Sequence, residues 1–303
     1  MLQRFKKWML PAAMITGALF YRYVGLLSFL TPGLIFIMLL VTYCKLSLRQ
    51  MNLTPLHAWL LGIQVIGGLA VYGLLYHIDP LVAEGAFICV FCPTATAAAV
   101  ITGMLGGDIA CLATYSLLSN LTVAFVSPLI FSFTGEHVTL PFWESLSKIG
   151  TEMIPLLIAP FLCALALQKF LPKAHAALQS RQSISFYLWA VSLTIVMGKT
   201  VSFIMGQNGS EYREEVLIAL FALIVCLLQF ALGKLIGHKY GQTIAGGQGL
   251  GQKNTVLAIW MALTYLNPLA SIGPASYVVW QNCFNSWQLW IKERRDHAVI
   301  SKK

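Results

Sequence analysis

Stretches of about twenty apolar residues recur from one end of this 303-residue chain to the other. That is the length a helix needs to cross the hydrocarbon of a bilayer. Only 10% of the residues are charged and 58% are hydrophobic, whereas soluble domains carry about 25% charged residues. A chain so poor in charge cannot cover a soluble globule. The two-residue alternation of barrel strands is absent. An all-α membrane protein of many spans follows.

Ten spans are expected, over roughly 8–22, 27–44, 56–76, 81–105, 108–133, 149–169, 184–206, 214–237, 241–265 and 268–291. The opening "MLQRFKKWMLPAAMITGALF" has the order of a signal peptide but no small-residue cleavage site, and reads as a retained first span. Fifteen of the twenty Lys and Arg fall in five clusters, located in alternate loops and at both termini. The opposite loops hold Arg22, Lys148 and Arg213, but also Asp79, Glu84, Glu136, Glu144, Glu211, Glu214 and Glu215. The positive-inside rule then makes both termini cytoplasmic, in a multi-pass protein of the plasma membrane, or of the inner membrane in a bacterium. The same rule accounts for the net charge of +9 without any nucleic acid. Cys89 and Cys92 have CxxC spacing, but with no second pair and no neighbouring histidine they read as small packing residues.

Ten spans with both ends on one side divide into two five-helix halves of opposite orientation, 1–148 and 149–303, the second ending in a basic cytoplasmic tail. Secondary transporters built this way bind their cargo where the corresponding helices of both halves are broken near the bilayer midplane. The fourth span of each half is interrupted, by "FCPTATAAAV" near 93–99 and by "GGQGLGQKNTV" near 246–255. Pro93 in the first and Gly247, Gly249 and Gly251 in the second are the expected helix-breaking residues. A broken helix frees backbone N–H and C=O groups that lipid cannot satisfy, so such a segment survives only against a cavity or a buried partner.

"FCPTATAAAVITGMLGGD", "SLLSNLTVAFVSP", "GQGLGQKNTVLA" and "VVWQNCFNSW" resemble segments of the bile acid:sodium symporter family, in an order and spacing that cover roughly two-thirds of the chain. The resemblance implies broken helices 4 and 9 crossing in a core domain beside a panel domain, and alternating access for a small organic anion such as a bile acid, pantoate or another carboxylate. It also implies sodium sites, and there this sequence departs. The family's Ser-Asn pair matches Ala98 and Ala99, two hydroxyl residues match Leu112 and Ser116, and the acid opening the second break matches Gln248; only the glutamine at Gln252 is kept. Hard cations want several oxygen ligands, preferably with a carboxylate. No cofactor is expected, and sodium coupling is doubtful.

Lys253 stands where the family has an asparagine. An ammonium at a helix centre costs about 2.5–3.5 kcal/mol on insertion scales, so such residues usually line an ion path or cavity. Snorkelling to an interface is the plainer alternative, against which the depth of Lys253 in its span argues. The family's loaded site, one carboxylate with two sodium ions, leaves one net positive charge; Gln248 with protonated Lys253 leaves the same. Lys253 is therefore expected to replace the cations and to attract the anion, either by pairing with its carboxylate or by taking a proton as it enters. No acid lies nearby in sequence, so replacing Lys253 by Met is expected to stabilise the fold while abolishing anion binding. The other expected transport residues are Thr94, Thr96, Gln248, Gln252, Asn254, Thr255, Asn120 and Asn282. No nucleophile elbow, Walker loop or HExxH occurs, which argues against an enzyme. A sodium-coupled symporter with rebuilt sites and a non-transporting receptor are the alternatives. The expected partners are the anion and the bilayer, with the chain a monomer or weak homo-oligomer.

Overall fold

The computed structural model describes residues 2–45, 51–95, 97–134, 141–180, 183–206 and 212–300. These residues form α1 (Leu2–Leu19), α2 (Tyr21–Val24), α3 (Thr31–Tyr43), α4 (Pro55–Gly62), α5 (Gly68–Tyr76), α6 (Pro80–Phe91), α7 (Ala98–Leu105) and α8 (Ile109–Phe131). They continue through α9 (Phe142–Phe170), α10 (Pro172–Ser180), α11 (Ser183–Met205), α12 (Tyr212–Lys239), α13 (Thr243–Gly251), α14 (Thr255–Tyr265) and α15 (Ile272–Ile300). Among the described residues there is no strand. Among the described residues, six runs are long and apolar enough to cross a membrane: Tyr21–Tyr43, Pro55–Tyr76, Ile109–Phe131, Phe142–Phe170, Tyr187–Met205 and Tyr212–Lys239. α6 and α14 are apolar but shorter, because each is one arm of an interrupted helix.

The starts and stops follow local chemistry. Asp79 accepts from the Val82 N–H at 2.9 Å and Pro80 opens α6, a capping side chain followed by a residue whose missing N–H costs nothing there. Asp108 caps α8 through the amides of Ala110 and Cys111. Gly106 closes α7 at φ +84°, a left-handed conformation that residues with a Cβ rarely adopt. Glu84, read from sequence as a loop acid, sits inside α6 and is buried, accepting from the Asn267 N–H at 2.8 Å.

Helices α1, α2, α3, α9 and α11 pack on one another, while α4 to α8 pack with α12, α13 and α15. Each group therefore draws on both halves of the chain. Contact between the groups runs through α8 against α9 and α11 against α15, and α14 joins them, packing on α3 and α11 on one side and on α6 and α15 on the other. In the second group, α12 and α13 meet backbone to backbone. A Cβ on Gly233 would strike the Gly246 carbonyl, and one on Gly237 the Gln242 carbonyl; small residues are what allow membrane helices to approach so closely. Large apolar side chains such as Leu26, Phe29, Ile66, Leu74 and Phe125 remain exposed, as suits a surface whose solvent is lipid.

A crossing of two interrupted helices as the candidate functional site

Pro93 cannot continue α6 and drives Cys92 to φ −58°, ψ 151°, the extended region favoured before proline. The second interruption comes after the glycines. Gly247, Gly249 and Gly251 lie within α13, and the chain turns extended only at Gln252. These glycines permit packing instead of breaking the helix: a Cβ on Gly249 would press on the Tyr115 ring, and one on Gly251 on the Phe230 ring. Asn254 restarts the helix, its side chain accepting from the Leu257 N–H at 3.3 Å.

The two extended segments pair with each other. The Ala95 N–H donates to the Gln252 carbonyl at 2.9 Å, the Asn254 N–H to the Pro93 carbonyl at 2.8 Å, and Thr94 and Lys253 form an isolated antiparallel bridge. The last carbonyls of a helix have no partner within it, and at α6 side chains supply all of them. Gln229 Nε2 donates to the Cys89 carbonyl at 3.1 Å and Gln64 Nε2 to the Phe91 carbonyl at 2.8 Å. The Lys253 ammonium donates to the carbonyls of Val90, 2.7 Å, and Cys92, 3.1 Å. Lys253 is 1% exposed. It is not held for a distant interface but seated on the negative end of α6, where a cation is favoured.

The second break is dressed in the same manner. Thr94 Oγ1 donates to the Gly249 carbonyl at 2.8 Å and the Tyr277 hydroxyl to the Gly251 carbonyl at 2.9 Å. The Thr94 N–H donates to Ser119 Oγ at 3.3 Å, and the Lys253 N–H to Gln281 Oε1 at 2.8 Å. Gln64 accepts from Tyr115 and Ser119 at 2.9 and 2.7 Å, while Gln229 Nε2 donates to the Tyr277 hydroxyl at 3.1 Å. Thr94 and Lys253 thus do the same work, each reaching across to cap the end of the opposite arm.

Of the other residues singled out from sequence, Gln248 Nε2 donates to Asn285 Oδ1 at 2.8 Å, and Asn285 Nδ2 to Gln252 Oε1 at 2.6 Å. Buried Gln248 Oε1, Asn254 Nδ2 and Thr255 Oγ1 have no hydrogen-bond partner. Asn120 and Asn282 turn back on their own helices, donating to the carbonyls of Ser116 and Val278 at 2.7 Å each. Thr96 lies outside the described residues. Three of the six residues matched from sequence to sodium positions form an apolar cluster: Ala98 and Leu112 pack with Ala245, and Ala99 against them, while Gln248 and Gln252 belong to the network around Asn285. The sequence alone makes Gln64, Ser119, Gln281 and Asn285 polar residues at depth that could equally serve packing, and gives no sign of Tyr115, Gln229 and Tyr277; the structure joins all seven to the crossing. One signal was available: Gln281 and Asn285 share a helix face at i, i+4 spacing.

No protein-family model matches the chain. It is 24% identical over 249 residues, 77% of this chain and 73% of the relative, to a Bacillus subtilis (strain 168) protein named as an uncharacterised sodium-dependent transporter, YocS. That similarity supports a transporter role and, with the apolar helices, a multi-pass membrane protein.

Proposed function

We propose that this chain is a secondary transporter of a small organic anion, working by alternating access and without sodium coupling. In this reading ten spans form two inverted five-helix repeats, 1–148 and 149–303, with both termini in the cytoplasm. The observation that carries it is the seat of Lys253, whose ammonium covers the Val90 and Cys92 carbonyls at the negative end of an interrupted helix. A tethered cation there does the electrostatic work of a bound ion and never leaves. The matched dressing of the two breaks supports inverted repeats, since related arms in opposite orientation call for like partners. The apolar surroundings of Ala98 and Leu112 support the loss of a sodium site beside them.

The anion is assigned to the start of α14. Asn254 Nδ2 and Thr255 Oγ1 are buried donors without partners at a helix N-terminus, which favours negative charge. They are 4% and 2% exposed, so a ligand reaches them only after the helix groups move, as alternating access demands. Lys253, occupied by carbonyls, contributes through its field and not by direct contact.

Reconstituted protein tests both parts. Uptake of organic acids should persist when sodium is exchanged for potassium or choline at equal ionic strength. Thr255→Val should weaken anion affinity about tenfold, near 1.4 kcal/mol, without lowering the melting temperature, because its hydroxyl has no partner to lose. YocS is named sodium-dependent, and a tenfold sodium stimulation here would favour a sodium symporter with rebuilt sites. Saturable binding without flux would favour a receptor.

A further inference from the structure

An open groove of about 410 Å³ lies between α3, α9 and α14, away from the crossing. Its walls are apolar, formed chiefly by Phe36, Pro155, Leu156 and Trp260, and one charged residue lines it, Glu152. Glu152 Oε2 accepts from the Tyr265 hydroxyl at 2.7 Å, so a residue of α14 orients the carboxylate of α9 at the edge of the groove. Glu152 is itself exposed and lies three residues into the span expected over 149–169, so its carboxylate is open to a ligand. No lining residue is cationic; the nearest basic side chain along α9 is Lys148, one turn before Glu152.

We propose that this groove binds a small amphiphilic amine, its apolar body among Phe36, Leu156 and Trp260 and its ammonium on Glu152. The volume falls within the range of small-molecule sites, about 300–1,000 Å³, and so does the composition, mostly apolar with one polar group to fix orientation. An ammonium satisfies the carboxylate through a charge-assisted hydrogen bond, and the indole of Trp260 adds a surface that attracts cations. A carboxylate ligand would meet Glu152 as a like charge. The chemistry is the reverse of that at the start of α14, and the site stands whether or not the anion reading holds.

The test uses the purified protein in lipid nanodiscs, with 4-phenylbutylamine, 4-phenylbutanol and 4-phenylbutyrate as probes of one apolar body and three head groups. Calorimetric titration, corrected with empty nanodiscs, should show the amine binding at least tenfold more tightly than the alcohol; carboxylate binding that is unchanged in Glu152→Gln and Phe36→Trp belongs to the anion site at the start of α14. Glu152→Gln should bring amine and alcohol level. Phe36→Trp, which fills the groove and keeps the acid, should weaken both. An amine no tighter than the alcohol, an amine preference that survives Glu152→Gln, or full affinity in Phe36→Trp would each overturn the assignment.

Discussion

The Lys253 ammonium reaches carbonyls that lie 163 and 161 residues away in sequence, and those partners reverse what its sequence neighbourhood implies. With no acid close by, Lys253→Met looks stabilising. In the fold, the methionine strands two buried carbonyls at the end of α6, and each unsatisfied buried group costs about 1–3 kcal/mol. Lys253→Met should therefore lower the melting temperature, by roughly 5 °C for a loss near 2 kcal/mol, read by thermal denaturation in detergent. An unchanged or raised melting temperature would mean that the carbonyls are met without the lysine.

Among the elements, the backbone-to-backbone approach of α12 to α13 sets where the second broken arm can lie. Gly233→Ala puts a methyl into the Gly246 backbone, where no flexible side chain can yield. Overpacking of this kind costs about 1–3 kcal/mol, and here it also pushes α13 away from Tyr277 and Thr94. The variant should show reduced monodisperse yield by size-exclusion chromatography and a lowered melting temperature. Gly62→Ala is the control: a Cβ there meets nothing within 4 Å, and in a helix alanine is better than glycine by about 1 kcal/mol. Equal behaviour of the two variants would show that α12 and α13 have room to separate.

For the whole molecule, the charge alternation along the chain makes a topological prediction. Single cysteines at positions 49, 175 and 238 should label only from the cytoplasm, and those at 79, 137 and 211 only from outside. The measurement needs a background lacking Cys111, Cys163 and Cys283, which are partly or fully exposed. Mixed labelling in either set would break the five-plus-five count and the inverted pairing of the two interrupted helices. What the primary structure determined by itself was the helical membrane class, the places where two helices are interrupted, and the polar residues gathered there. Hydropathy, proline and local capping chemistry act within a few turns, so they are written in adjacent residues. What only the tertiary structure decided was the partnership of each group. It seats Lys253 on α6, turns Asn120 and Asn282 back on their own helices, brings Gln281 and Asn285 inward instead, and makes the glycines of α13 packing residues with the break beyond them. Backbone carbonyls accept hydrogen bonds whatever side chain they carry, so nothing at Val90 or Cys92 announces a lysine so far along the chain. Only the packing of the helices brings them within reach.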